Sequence, residues 1–218
     1  MSEEHTAAKE RVLERIDKII YINLDKRKDR RQEVEQEFKT LGIPATKYER
    51  FPAISEYHPK ESCTRSHLAV LRLALERGYE NILVLEDDFM LAVKPERFYA
   101  CLDQFFTSYG DDFDAVMLAY NLSAWEEIED EELVGHVGKS TNAAAYLLNR
   151  RIVEELADAM EDGITNPRWR QHAPWGILND ESWQPFQRSS EWFYFRERLV
   201  RQRPGYSDLE QHNIDYGV

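Results

Sequence analysis

Glu86, Asp87 and Asp88 follow directly on an apolar run, Ile82-Leu83-Val84-Leu85. Three consecutive carboxylates are hard oxygen donors, the ligand type that suits Mg²⁺ or Mn²⁺. A short apolar run bounded by polar residues reads as a strand buried on both faces. Open α/β sheets take ligands at the carboxyl ends of their strands, so the acids are expected at a ligand site and not in the core. Strand alternation would set Glu86 and Asp88 on one face and Asp87 on the other. A solvated acidic turn is the plain alternative.

Two further segments carry chemistry of their own. In Tyr21-Ile22-Asn23-Leu24-Asp25-Lys26-Arg27-Lys28-Asp29-Arg30 a strand ends and a helix begins. Arg27 and Arg30 are three residues apart, hence neighbours if both lie in the first turn. Helix amides with arginines make an anion site; ordinary surface arginines are the alternative. Trp175 and Trp183 flank Asp180 and Glu181. Tryptophan faces can stack on sugar C–H faces, and a carboxylate beside them can take a hydroxyl proton. An aromatic segment packed on the sheet, with solvated acids, is the alternative. A third segment, Cys63-Thr64-Arg65-Ser66-His67, opens a helix, and its histidine alone reads as a packed, hydrogen-bonded residue.

Strands and helices must position these groups. Residues 1–15 are polar and read as a frayed helix or disordered tail. Residues 18–24 are a strand, 29–41 a helix stopped by Gly42, and 46–51 a second strand. Residues 52–61 read as loop and 62–77 as helix, capped by Ser62 or Thr64 and closed by Gly78. Residues 82–85 form a third strand, Pro95–Tyr109 a helix and 113–119 a fourth strand. Residues 126–132 hold six acids, a solvated stretch. Residues 143–148 are another apolar run, and 151–160 a helix stopped by Gly163. Beyond 165 the period breaks, and Trp169, Trp175, Trp183 and Trp192 are expected to pack onto the sheet and cover one side of the cleft. Strands alternating with helices predict an α/β fold with a mostly parallel sheet flanked by helices. We expect a polar extension over 1–16 and a single domain over 17–218.

Composition sets the outer limits. The 218 residues suffice for a sizeable core. A formal charge of −13 argues against nucleic acid or an anionic membrane surface as main partner. Cys63 and Cys101 form neither a disulfide framework nor a zinc-finger spacing, and two thiols fit a reducing cytoplasm. The charged start has no apolar leader core, and no run approaches the ~18 apolar residues of a membrane span.

In order and spacing, Ile22 to Arg30, Cys63 to His67, Leu83 to Asp88, Ala145-Tyr146-Leu147-Leu148 and Gln202 to Leu209 together resemble glycosyltransferase family 25. That family includes lipopolysaccharide and lipooligosaccharide galactosyltransferases. The resemblance spans roughly residues 19–216 and implies a GT-A-like (Rossmann-like) fold and inverting transfer of a sugar, galactose first, from a UDP-sugar to a glycan or glycolipid acceptor such as lipopolysaccharide. It implies Mn²⁺ or Mg²⁺ on Glu86 and Asp88, with a late ligand, His212 or alternatively Asp208. Asn23, Leu24, Arg27, Arg30, Ser66, His67 and Asp87 would bind the donor. Asp180 is favoured over Glu181 as catalytic base, and the cytoplasm or the inner-membrane periphery would be the location. Two other readings remain: a non-catalytic nucleotide-sugar-binding module, and a metal-dependent phosphohydrolase or nucleotidyltransferase.

Overall fold

A computed structural model of the chain describes residues 3–217. In chain order the first half comprises α1 (Glu3–Arg15), β1 (Lys18–Asn23), α2 (Lys28–Leu41), β2 (Tyr48–Pro52), α3 (Pro59–Arg77), β3 (Asn81–Glu86), β4 (Phe89–Leu91) and α4 (Pro95–Tyr109). The second half comprises β5 (Ala115–Met117), β6 (Asn121–Glu126), β7 (Val134–Thr141), β8 (Ala145–Asn149), α5 (Arg150–Thr165), the short helices α6 (Pro167–Arg170) and α7 (Asn179–Ser182), then β9 (Trp192–Phe195), β10 (Val200–Gln202), β11 (Gly205–Ser207) and β12 (His212–Ile214).

Among the described residues, eight strands form one sheet in the order β2-β1-β3-β8-β5-β9-β7-β6. β7 and β8 run against the other six. The expected α/β sheet, mostly parallel and flanked by helices in a single domain, is therefore what forms. Side chains alternate between two helical layers, as a period of two requires. Ile19, Tyr21, Leu83, Leu85 and Leu147 join the core shared with α1, α2 and α4. Ile20, Ile22, Ile82, Val84, Tyr146 and Leu148 join the core shared with α3 and α5.

Several boundaries differ from the sequence reading, each for a physical reason. The amino-terminal stretch takes the helical of its two expected forms. Its sparse apolar residues Ala8, Val12 and Leu13 fall on one face and are buried against α4. Arg11 pairs with Asp103 at 2.6 Å on the same contact. Helix α3 starts three residues before Ser62, because Pro59 suits a first helical position and His58 caps the Lys60 amide. The hairpin β6–β7 was not expected, since its outer strand buries no residue and lacks apolar alternation. Trp183 and Trp192 are fully buried, in edge-to-face contact with each other.

Gly163 does not stop α5. It lies inside the helix, where its bare backbone lets the segment 176–177 approach, and the Ile177 amide donates to the Gly163 carbonyl at 3.1 Å. Gly176 is in the left-handed region at φ 81°, and a Cβ there would run into that same carbonyl oxygen. This tight crossing fixes the start of the segment that carries α7. Gly176→Ala should therefore destabilise the protein by about 1–3 kcal/mol through overpacking, with left-handed strain in addition. Urea unfolding measures it; an unchanged midpoint would show that the crossing relaxes freely.

Candidate active site

β1 and β3 lie side by side and parallel, with Ile22 opposite Glu86. The residues that follow both strands therefore emerge together at one end of the sheet. Asn23, buried at the end of β1, donates to the Asp87 carboxylate at 2.7 Å and to the Arg27 carbonyl at 3.0 Å. Its own amide oxygen accepts from Arg50 at 2.9 Å. Arg30, in the first turn of α2, donates from Nη1 to Asp87 at 2.8 Å and to Asp88 at 3.2 Å.

The three acids thus divide their work. β3 ends at Glu86, which keeps the strand alternation and points to the α3 side, where its Oε1 lies 3.0 Å from His67 Nε2. Asp87 and Asp88 sit in the turn beyond, so alternation no longer separates them, and both reach Arg30. Asp87 has its two partners, Arg30 and Asn23. Asp88 is less well served: Oδ2 takes a long contact from Gln202 at 3.5 Å, and Oδ1 is buried among the described residues with no hydrogen-bond partner. Burial and the adjacent Glu86 carboxylate push the Asp88 carboxyl up to about 7, against the pull of Arg30. Burial likewise raises Asp87, which Arg30 opposes.

A cavity of about 230 Å³ opens over these groups, lined by Leu24, Arg30, Ser66, His67 and all three acids. Ser66 is buried and fixed, donating to the Ser62 carbonyl at 2.7 Å and accepting the Ile54 amide at 2.9 Å. His67 Nδ1 lies 2.7 Å from the Tyr146 hydroxyl. Cys63, which sequence reasoning did not single out as a site residue, also lines the cavity, as do Lys26, Tyr57 and Tyr216.

The late segments arrive through strand pairing. β10 pairs antiparallel with β4, setting Gln202 opposite Phe89, and the Arg203 amide donates to the Asp88 carbonyl at 2.6 Å. The β11–β12 hairpin follows. Arg27 and Arg30 both donate to the Tyr206 carbonyl, at 3.2 and 2.8 Å. Arg27 also binds Asp208 at 2.6 Å and Asp29 at 2.8 Å, and is not among the cavity-lining residues. Asp208 does line the cavity, held by Lys26 and Arg27 at 2.6 Å each. His212 is exposed, its Nδ1 donating to the Glu210 carbonyl at 2.8 Å, and it lies outside the cavity lining.

Asp180 and Glu181 part company on α7. The half-buried Asp180 accepts the Asn142 amide at 2.9 Å, just before β8. Because β8 runs antiparallel to β3, with Ala145 opposite Leu85, its start lies at the acidic end of the sheet. Burial raises the Asp180 carboxyl, the Asn142 amide opposes this, and the Glu86 charge adds to the rise. Glu181 is exposed and folds back to accept the Leu178 amide at 3.1 Å. Of the flanking tryptophans, Trp183 is core, against Tyr146 and Trp192, and cannot meet a ligand. Trp175 stacks on His58 at 4.6 Å.

No protein-family model matches the chain, and no curated protein matches it in sequence. Solved structures do resemble it at low identity. A glycosyltransferase involved in glycosylation of the major capsid of PBCV-1 is 12% identical, covers 89% of this chain and 95% of its own, and gives a TM-score of 0.49. A197 from STIV is 11% identical over 88% of this chain and 96% of its own, with a TM-score of 0.47. An apo UDP-glucose pyrophosphorylase is 11% identical over 92% and 77%, with a TM-score of 0.43. Values this low describe a likeness of chain architecture and say nothing of the chemistry.

The strain on Asp88 has a measurable sign. Its proton is held to about pH 7 in the folded protein, against an ordinary value of 3.8 when unfolded. The folded state therefore binds the extra proton between those values, and the Asp88 contribution to stability is lost as pH rises from about 4 through 7. In chelator, Asp88→Asn should gain on the wild type by on the order of a few kcal/mol at pH 8, with the gain vanishing toward pH 4. Denaturant melts of both proteins across pH test this; a difference that does not vary with pH would contradict it.

Proposed function

We propose that the protein is a metal-dependent, inverting glycosyltransferase of GT-A type, related to family 25, that moves a sugar from a UDP-sugar donor to a glycan acceptor. The observation that carries this reading is Asp88: a buried carboxylate with an unpartnered oxygen, beside Glu86, at a strand end that opens into a cavity. A carboxylate so placed fits a divalent cation, and Asp88 with Glu86 would hold Mn²⁺ or Mg²⁺. When bound, the ion would supply positive charge that offsets the negative charge of the leaving diphosphate. Asp208 faces the cavity and is the better placed late ligand; His212 would require the hairpin to turn.

The chain's own residues supply the remainder. Leu24, Ser66 and Arg30 face the cavity and would meet the nucleotide, with Arg30 donating to phosphate. Asp87, itself held by Asn23, fixes Arg30 in place, Arg27 anchors the closing hairpin, and His67 orients Glu86. Asp180, raised by burial and within electrostatic reach of Glu86, suits a general base that takes the acceptor hydroxyl proton. Glu181, spent on its own helix turn, suits that role less. The cavity is just under the ~300–1,000 Å³ usual for small-molecule sites. Galactose as the transferred sugar, lipopolysaccharide as acceptor and the cytoplasm as location follow from the family resemblance. No helix of the described residues is long and apolar enough to cross a membrane.

Two measurements test the proposal. Transfer from a panel of UDP-sugars with Mn²⁺ should be observed, with donor consumed far more slowly when acceptor is omitted. Equal consumption without acceptor would favour the phosphohydrolase reading, and donor binding without turnover the binding module. In single-turnover assays Asp180→Asn should keep donor affinity and lose about 10²–10⁴-fold in rate, because an amide cannot accept the proton. Glu181→Gln should stay near wild type; normal turnover in Asp180→Asn would place the base elsewhere.

A further inference from the structure

We propose that Cys63, His67 and Glu86 form a second cation site, suited to a borderline-soft divalent ion of the zinc class and sharing only Glu86 with the hard-cation position at Asp88. Cys63 and His67 are four apart on α3 and so share one face, the face turned to the end of β3. His67 Nε2 lies 3.0 Å and Cys63 Sγ 3.9 Å from Glu86 Oε1, and the three donor atoms all fall within 4.8 Å of one another. Zinc bond lengths of about 2.0–2.3 Å set tetrahedral ligand edges of roughly 3.3–3.7 Å, so only small side-chain shifts are needed. Sulfur and imidazole nitrogen prefer zinc-class ions to Mg²⁺ or Mn²⁺.

The surroundings are built for such an ion. A ligating histidine donates its other ring N–H to a fixed acceptor, which sets the tautomer. Here the Tyr146 hydroxyl is buried 2.7 Å from His67 Nδ1 and can accept that proton, leaving the Nε2 lone pair facing Glu86. The buried Asn179 side chain places its amide oxygen 3.7 Å from Cys63 Sγ, and its amide nitrogen has no partner among the described residues. All three ligand residues line the cavity, which leaves a fourth position for water or an exogenous ligand. On binding, a sulfur–metal bond replaces the S–H bond and the thiol proton leaves to solvent; histidine gives a lone pair and glutamate an existing charge, so one proton is released. Because Glu86 is shared, an ion here withdraws it from Asp88.

Co²⁺ titration of the metal-free protein tests it directly. A thiolate-to-cobalt charge-transfer band should appear, and added Zn²⁺ should erase it. Cys63→Ser should lack the band, whereas Cys101→Ser and Asp88→Asn should keep it. Tyr146→Phe should keep the band with Co²⁺ affinity lowered about 10–100-fold, through loss of the histidine's orienting partner. Circular dichroism confirms that each variant is folded, and alkylation of Cys63 in the wild type should remove the band independently of any substitution. No charge-transfer band in the wild type, a band that survives Cys63→Ser or alkylation, or one lost in Asp88→Asn would overturn the proposal.

Discussion

The arrangement turns on one buried ion pair. Arg30 stands between Asp87 and Asp88 with its guanidinium largely out of water, and Glu86 adds a third carboxylate next to them. One guanidinium cannot neutralise three acids, and desolvating unbalanced charge is expensive. Asp87 is fully partnered and Glu86 leans on His67, so the deficit falls on Asp88. A site short of positive charge at the mouth of a cavity has an electrostatic reason to take up a cation and, with it, an anionic ligand. In a chain of net charge −13, phosphate can approach only where such a local balance is provided.

Topology concentrates the chemistry. The parallel pair β1 and β3 delivers Asn23 and the acidic turn to the same edge, and antiparallel β8 brings the Asn142 amide, with Asp180 on it, to that edge from the opposite direction. The β4–β10 ladder adds Gln202, and the hairpin after it returns Asp208 to Lys26 and Arg27. Segments from both ends of the chain are thereby locked around one cavity. The mix of strand directions is what allows it, because a purely parallel sheet would return each later segment only through another crossover.

Part of this was legible in the residues alone. The apolar run ending in three acids marked the strand end, because alternation and burial are local properties. The helix Pro95–Tyr109 was bounded by its own proline and glycine. The separate duties of Arg27 and Arg30 were not legible: Arg27 is claimed by Asp208, a partner 181 residues away, which no local spacing encodes. Trp183 looked like a ligand platform because tryptophan at a core position and at a binding site are the same letter; only burial separates them. Gly163 read as a stop because glycine ends many helices, and the close approach of Ile177 that actually requires it is tertiary. The Cys63–His67 pair is an i,i+4 spacing on one helix, but Glu86 joins it only through the fold, from the end of β3, which no local spacing encodes.

On the proposed function, Asp88 couples a divalent cation to a nucleotide diphosphate in this cavity. Calorimetric titration of UDP into the wild-type protein, with Mn²⁺ and again in excess chelator, tests it most directly. Mn²⁺ should tighten UDP binding by at least about tenfold, a coupling of ~1.4 kcal/mol, and the same experiment on Asp88→Asn should show no such gain. UDP binding of equal affinity with and without the ion in the wild type would contradict it.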